Sequence, residues 1–159
     1  MENKSITLHY FNINAIACVA RFLLWLGKIK YTDHRVTFEE WENGEKQKYD
    51  FKILPVLEID GVQLAQSISI YVFLARKIGG LMGSTFECEQ GILALLAIWG
   101  DIGSSIIGVI WPQVYKLDQD YYVKHCEEVS AHLQEISEGL EKNYKTHGSK
   151  KYFLGNIFS

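Results

Sequence analysis

The stretch FKILPVLEIDGVQLAQSISIYVFLARKIG, residues 51–79, decides the fold of this chain. Two β-prone runs, 56–59 and 62–64, flank the pair Asp60-Gly61, and Asp-Gly between such runs is the strongest local signal for a β-hairpin. From Ser67 onward apolar residues recur at helical spacing, until a pair of glycines supplies a stop. The stretch therefore predicts a hairpin that leads directly into a helix.

The corner between this hairpin and this helix is the pair Gln66-Ser67. A helix N-terminus presents unpaired N–H groups and the positive end of the peptide dipoles, so the corner is suited to hold a carboxylate. The simpler interpretation is that Ser67 only caps its own helix. Local physics alone favours the simpler interpretation.

The chain before this stretch predicts a strand, a helix and a second strand. Residues 6–10 alternate as a strand with two different faces does. Residues 15–27 show apolar residues at helical spacing with Gly27 as a C-cap, and residues 30–36 form a second β-prone run. A strand, a helix and a strand with short joins imply a right-handed crossover and a parallel pair.

Residues 37–50 are polar and predict an irregular arm on the surface, where ligand-binding groups are often placed. The arm carries Trp41 and Lys46, which together could clamp an acidic peptide ligand. Equally, Trp41 could cover the edge of the sheet. The residues alone leave these two interpretations even.

The character of the chain changes after the Gly-rich segment 79–85. Residues 86–115 and 119–144 read as two long helices, and no β-prone run lies among them. The sequence therefore predicts an α/β domain at residues 1–82 and a helical domain at residues 83–159.

Part of the first long helix, residues 91–115, raises the question of a membrane. It contains a single charge, Asp101, and is long enough to span a bilayer. Pro112 and several small or polar residues interrupt it, and its flanks carry no basic asymmetry. These features favour a buried helix in a soluble protein, with no membrane partner.

Composition narrows the classes of protein. With 48% of its 159 residues hydrophobic and 22% charged, the chain can bury a core, and its net charge of −3 with scattered basic residues argues against nucleic acid. Cys18, Cys88 and Cys126 are far apart and form no C-x-x-C pair, which indicates a reducing compartment and argues against a zinc or dithiol site. No signal peptide is apparent, so we expect a cytoplasmic protein.

Residues 54–61, LPVLEIDG, followed by Gln66-Ser67 and Ile70, resemble the glutathione-binding signature of the cytosolic glutathione transferases. The runs LHYFN at 8–12 and YTDHR at 31–35 are most similar to the sigma class. The resemblance implies an α/β thioredoxin-like N-terminal domain followed by an all-α C-terminal domain. It also implies glutathione as substrate, no metal, and a homodimer.

The resemblance assigns the chemistry to Tyr10, whose phenol would donate a hydrogen bond to the glutathione sulfur. A free thiol has a pKa of about 8.5, and such a donor lowers it by stabilising the thiolate. The alternative is a core tyrosine with a satisfied hydroxyl. The glutathione contacts that the resemblance implies are made by Trp41, Lys46, Leu54, Pro55, Gln66, Ser67 and Asp101. The resemblance also implies a cis peptide bond between Leu54 and Pro55.

Two of the implied roles concern a second subunit. Asp101 would face the γ-glutamyl amine of a glutathione bound in the partner, or would lie on the surface as an ordinary exposed carboxylate. Phe51 matches an aromatic key that some classes insert into the other subunit, and a core phenylalanine is the alternative.

The chain departs from the family pattern at several positions. Asn14-Ala15-Ile16 stands where an Arg-rich turn is usual, Ile53 where Gln or Lys is common, and Val72 where Arg is common. Each change removes a charge or hydrogen bond near the site, which predicts weak catalysis. The chain also ends where the family's next helix would begin, so we expect a C-terminally truncated helical domain.

Two hypotheses of function follow. The first is an enzyme, a glutathione transferase that conjugates the thiolate to small electrophiles, or a glutathione-dependent isomerase of the same class. The second is a catalytically weak or inactive glutathione-binding or structural protein on the same scaffold. Tyr10 favours the enzyme, whereas Ile16, Ile53 and the missing helices favour the second.

Overall fold

The computed structural model describes residues 5–114 and 119–147. The chain divides into two compact units, residues 1–82 and 83–159. The first unit runs strand, helix, strand, then a short arm, then strand, strand, helix. Its elements are β1 (Ile6–Phe11), α1 (Ala17–Leu26), β2 (Thr32–Val36), α2 (Phe38–Glu42), a 3-10 helix (Glu45–Lys48), β3 (Val56–Ile59), β4 (Val62–Ala65) and α3 (Ser67–Ile78).

The four strands form one sheet in the order β2-β1-β3-β4. β1 and β2 are parallel, which confirms the predicted parallel pair, and β3 is antiparallel to both β1 and β4. The hairpin predicted from Asp60-Gly61 is confirmed, with Ile59 paired to Val62 across the turn.

The two faces of the sheet differ because side chains alternate along β1. Ile6, Leu8 and Tyr10 are buried on one face, and α3, which contacts β3 and β4, packs against α1. His9 and Phe11 lie on the other face, where aromatic residues of the arm contact them. β1 therefore carries the predicted catalytic residue on one face and a separate set of contacts on the other.

The arm is more regular than the sequence analysis predicts. The Thr37 hydroxyl accepts a hydrogen bond from the Glu40 backbone at 3.1 Å, and the Glu40 carboxylate accepts one from the Thr37 backbone at 2.7 Å. This capping box starts α2, and the prediction of an irregular arm is wrong because that signature was missed. Trp41 stacks on Tyr49 and meets the Phe11 ring edge-on at 5.4 Å, so it covers the sheet.

Gly27 ends α1 as predicted, but for a different physical reason. Its φ of −75° is one that any residue adopts, so no left-handed conformation requires glycine here. An added Cβ would lie 2.7 Å from Ile78 Cγ1 on α3. The glycine is needed because α1 and α3 approach closely at this point.

The second unit contains α4 (Phe86–Val114) and α5 (Gln119–His147), which pack against each other and confirm the two long helices. The stretch Phe86–Ile107 is long and apolar enough to cross a membrane, although core helices of soluble proteins pass the same test, so it does not indicate one. None of its most apolar window is buried. The expectation of a buried helix is therefore wrong for the described residues, although α5 packs on α4.

Candidate functional site

Three segments of the first unit converge at one end of the sheet. In the antiparallel pair β1–β3, His9 pairs with Val56, so the next position brings Tyr10 opposite Pro55. In the hairpin β3–β4, Val56 pairs with Ala65, so the next position brings Pro55 opposite Gln66. Neighbouring strands lie about 4.8 Å apart, which places these three backbones side by side.

Tyr10 is 6% exposed and sits on the covered face of the sheet. Burial raises the pKa of Tyr10, while a hydrogen bond with the Ile16 backbone and the nearby Arg21 charge act in the opposite direction. Because the net shift is upward from about 10, the phenol keeps its hydrogen at neutral pH. Tyr10 is therefore a hydrogen-bond donor and not a base.

Tyr71 connects Tyr10 with the start of α3. Its hydroxyl donates to the carbonyl of Ile16, the same residue whose backbone contacts Tyr10. Burial raises the pKa of Tyr71, and a hydrogen bond with the Ser67 side chain opposes that shift. A continuous set of contacts thus runs from the end of β1 to the first residue of α3.

The start of α3 has no side-chain cap. Gln66 is the N-cap residue with a φ of 71°, and Ser67 is the first helical residue, so the interpretation of Ser67 as a cap of its own helix is wrong. The backbone N–H groups of this first turn have no intrahelical partner. They remain free to meet a carboxylate.

The peptide bond between Leu54 and Pro55 is cis, as the resemblance implied. Pro55 is fully buried, and Leu54 is half-buried. The backbone of Leu54 precedes β3 at the same end of the sheet as Tyr10 and Gln66. The structure therefore brings together Tyr10, Leu54, Pro55, Gln66 and Ser67.

The other predicted residues lie outside these three segments. Trp41 packs on the opposite face of the sheet, and Lys46 pairs with Glu42 at 3.9 Å along the arm. Asp101 is exposed on α4, in the second unit. Phe51 is 70% exposed, so the alternative of a core phenylalanine is wrong.

Two residues of the site region were missed by the sequence analysis. Tyr71 lies four residues after Ser67, a spacing that places both on one face of a helix and could have identified it. Arg21 lies with its guanidinium carbon 6.0 Å from the centre of the Tyr10 ring. No local signal in the sequence indicates that contact, since it depends on how α1 packs.

A polar cavity of about 320 Å³ lies on the other face of the sheet, and its lining includes His9, His34 and Tyr49. The two histidine Nδ1 atoms are 2.9 Å apart, and the Tyr49 hydroxyl lies 3.3 Å from His9 Nδ1. Among the described residues, no three His, Cys, Asp or Glu side chains are arranged to hold a metal ion. The cavity is lined by polar and charged side chains and lies on the face of the sheet opposite to Tyr10.

His9 is expected to make the stability of the protein fall in mild acid. Burial, with the charge of His34, lowers the pKa of His9 below about 6.5, although Glu58 and Glu45 oppose the shift. The folded state then binds fewer protons than the unfolded state, so this contribution is complete above about pH 6.5 and is lost as the pH falls through the lowered pKa. Urea unfolding midpoints measured from about pH 8 to about pH 5 should fall less steeply in His9→Asn than in the parent.

The control for this experiment is His132→Asn, which removes an exposed histidine from α5. Its unfolding midpoint should follow the parent across the same pH range. An equally steep fall in His9→Asn and in the parent would contradict the role given to His9.

Similar proteins were found by sequence and by structure. The chain is 44% identical over 81 residues to glutathione S-transferase S1 of Drosophila melanogaster, covering 51% of this chain and 32% of that protein. It is 33% identical over 156 residues to hematopoietic prostaglandin D synthase of Gallus gallus, covering 98% of this chain and 72% of that protein. The monomeric glutathione S-transferase Na-GST-3 of the hookworm Necator americanus matches with a TM-score of 0.79 at 26% identity, covering 96% of this chain and 73% of that one.

These similarities define the class of protein. The match to the fruit-fly relative spans about a third of that relative's length, whereas the match to the chicken relative spans nearly three quarters. No protein-family model matches the chain. The chain belongs to the glutathione S-transferase family. The predicted fold class, a thioredoxin-like domain followed by a helical domain, is confirmed by the solved transferases.

Proposed function

We propose that this chain binds glutathione at the end of the sheet in its first unit and activates the thiol for attack on small electrophiles. The observation that carries the proposal is the convergence of a buried, protonated Tyr10 with the cis Leu54–Pro55 segment and the uncapped start of α3. Family membership supports it, because relatives on the same fold are named glutathione S-transferases.

Each part of the site suits one part of the tripeptide. The free N–H groups at Gln66-Ser67 would donate hydrogen bonds to the γ-glutamyl carboxylate. The Leu54 backbone would form hydrogen bonds with the backbone of the cysteinyl residue, as an added β-strand does at a sheet edge. Trp41 and Lys46 would reach the glycyl carboxylate from the arm, and for Lys46 this means leaving its ion pair with Glu42.

Tyr10 then acts on the sulfur. Its O–H donates a hydrogen bond that stabilises the thiolate after the thiol proton leaves for solvent. The sulfur forms a bond to an electrophilic carbon. The electron pair of the bond broken at that carbon departs with a leaving group or, where the carbon belongs to an activated double bond, moves towards the activating group, and the product then takes a proton from solvent. Because burial keeps the phenol protonated, the donor is present throughout the neutral range.

The substrate is a small electrophile, and isomerisation of a prostaglandin-type substrate belongs to the same chemistry, because a relative that matches over 98% of this chain is named a prostaglandin D synthase. Within the family we place the chain nearest the sigma class on the runs LHYFN and YTDHR. A glutathione-binding protein without turnover is the competing assignment. Ile16 and Ile53, which stand where the family pattern usually has charged or polar side chains, favour it, whereas the buried Tyr10 favours the enzyme.

The proposal is tested by applying the purified chain to immobilised glutathione, eluting with free glutathione, and assaying the eluate at once for conjugation. Retention with turnover is the expected result. Retention without turnover would support the binding protein instead, and a chain that does not bind would overturn the proposal. A matched Ser67→Ala variant, which changes the γ-glutamyl end of the site, should be retained less strongly.

We further propose that the protein is a cytoplasmic homodimer in which Asp101 faces the glutathione of the partner and Phe51 is the contact residue. All three cysteines are free, as expected of a reducing compartment. Replacing Phe51 by alanine should weaken dimerisation by about 2 kcal/mol or more, a factor of roughly thirty in Kd, because exposed aromatic residues that enter a partner dominate binding energies. Sedimentation analysis across a concentration series measures this change.

Phe22, which is also exposed but lies on α1, provides the control. Phe22→Ala should leave the dimer unchanged. A parent chain that sediments as a monomer, as the hookworm relative is described to be, would remove the dimer from the proposal.

A further inference from the structure

Arg21 is a largely buried cation beside Tyr10, and the proposed function assigns it no role. It extends from α1 and is 12% exposed. Its Nε lies 3.2 and 3.3 Å from the two oxygens of Asp33, and its Nη1 donates to the carbonyl of Ile13 at 2.9 Å. Its guanidinium carbon lies 6.0 Å from the centre of the Tyr10 ring. These contacts fix both the arginine and the loop that follows β1.

The charge of Arg21 is only partly neutralised. Asp33 also pairs with Arg35 at 2.8 Å, so two guanidinium groups share one carboxylate. The Nη2 atom of Arg21 is buried and has no hydrogen-bond partner among the described residues. A buried guanidinium donor without a partner is costly, and native structures retain such groups rarely. Because two guanidinium groups share the single carboxylate of Asp33, the cluster keeps net positive charge beside Tyr10.

Positive charge beside the Tyr10 ring makes the phenol a stronger acid, and therefore a stronger hydrogen-bond donor. A cation over an aromatic ring is attracted to it, and a nearby cation favours any state in which the phenol oxygen gains negative character. The turn Asn14-Ala15-Ile16 carries no cation, so within the loop itself only the Ile16 backbone acts on the hydroxyl. Arg21 is the cation that the described residues place at the Tyr10 ring.

We propose that Arg21, held by Asp33, is a positioning residue that orients the Tyr10 ring and strengthens its hydrogen bond to the glutathione sulfur. This inference rests on the proposed function, in which Tyr10 donates to the thiolate. Arg21 does not touch the reacting atoms; it acts through the ring and through the Ile13 carbonyl. A positive charge delivered from α1 thereby replaces one that the loop lacks.

The test compares Arg21→Met with Arg21→Lys and with Arg35→Met, in the full chain. Arg35→Met is the matched control because it removes the other guanidinium from the same carboxylate. The readouts are the pH at which bound glutathione becomes a thiolate, followed by its ultraviolet absorbance, and the pH profile of kcat/KM. Circular dichroism checks that each variant is folded.

In Arg21→Met the thiolate midpoint should move to higher pH, and kcat/KM near pH 6.5 should fall about two- to fivefold, the size of a cation–π contact. The KM for glutathione should change little. Arg21→Lys should recover part of the shift because it keeps the charge. Arg35→Met should shift the midpoint much less than Arg21→Met, because its guanidinium shares Asp33 but does not lie over the Tyr10 ring. Equal midpoints in Arg21→Met and the parent, or equal shifts in Arg21→Met and Arg35→Met, would overturn the proposal.

Failure of the proposed function has a different signature. If the parent itself gives no thiolate, glutathione activation fails, and the phenol of Tyr10 can still be observed through an isotope-labelled Cζ resonance assigned by its loss in Tyr10→Phe. A resonance that moves clearly further in Arg21→Met than in Arg35→Met supports the contact. A resonance identical in all three proteins overturns it.

Discussion

Replacing Tyr10 by phenylalanine is expected to lower kcat/KM for glutathione conjugation by about ten- to a hundredfold, because it removes a charge-assisted hydrogen bond worth roughly 1.5–3 kcal/mol. The loss should appear mainly in kcat, since the thiolate gains from the donor more than the bound thiol does. The thiolate midpoint of bound glutathione should rise in parallel. Steady-state kinetics and thiolate absorbance measure the two effects.

The matched control is Tyr49→Phe. Tyr49 is also buried, but it lies against the opposite face of the sheet, where it contacts His9 and Trp41. Its loss should leave kcat near the parent value. A Tyr10→Phe variant that conjugates as fast as the parent would show that the thiolate is stabilised by another group.

The second large effect concerns the stability of the first unit. Leu24 is fully buried on α1, and Leu26 on the same helix is 41% exposed. Leu24→Ala should lower the free energy of unfolding by about 2–5 kcal/mol, because it removes buried methyl groups and leaves a cavity. Leu26→Ala should change it by roughly 0.5 kcal/mol or less.

Urea unfolding of the full chain, followed by tryptophan fluorescence, measures both variants. The pair is informative because residue type, helix and substitution are the same and only burial differs. Similar losses in the two variants would mean that the exposed face of α1 is covered in solution.

The sequence could predict elements whose signals are local. Asp60-Gly61 specified the hairpin, alternation specified β1, and the paired glycines after α3 specified its end. The capping box of α2 is an equally local signal, but the helix that it starts is only 5 residues long and has no apolar periodicity of its own to indicate it. The cis bond at Leu54–Pro55 was available through the family resemblance alone, since nothing in the local chemistry requires it.

The site was less predictable, because its contacts depend on packing between distant segments. Tyr10 and Ser67 were identified as single residues, but the link between them runs through Tyr71 and the Ile16 carbonyl. The contact of Arg21 with Tyr10 joins a residue of α1 to a residue of β1 and exists only in the folded arrangement of the two elements. Sequence patterns do not describe how separate elements pack, so a residue that acts through another residue is not identified from them.

The close approach at Gly27 has a consequence for protein engineering. Exchanging a glycine for alanine at an ordinary φ is a standard route to a more stable protein, with gains of about 0.4–1 kcal/mol. At Gly27 the backbone would permit the exchange, but the new methyl group would collide with Ile78 on α3. A stabilised design must therefore alter both positions together, shortening Ile78 to make room before the entropy gain can be realised.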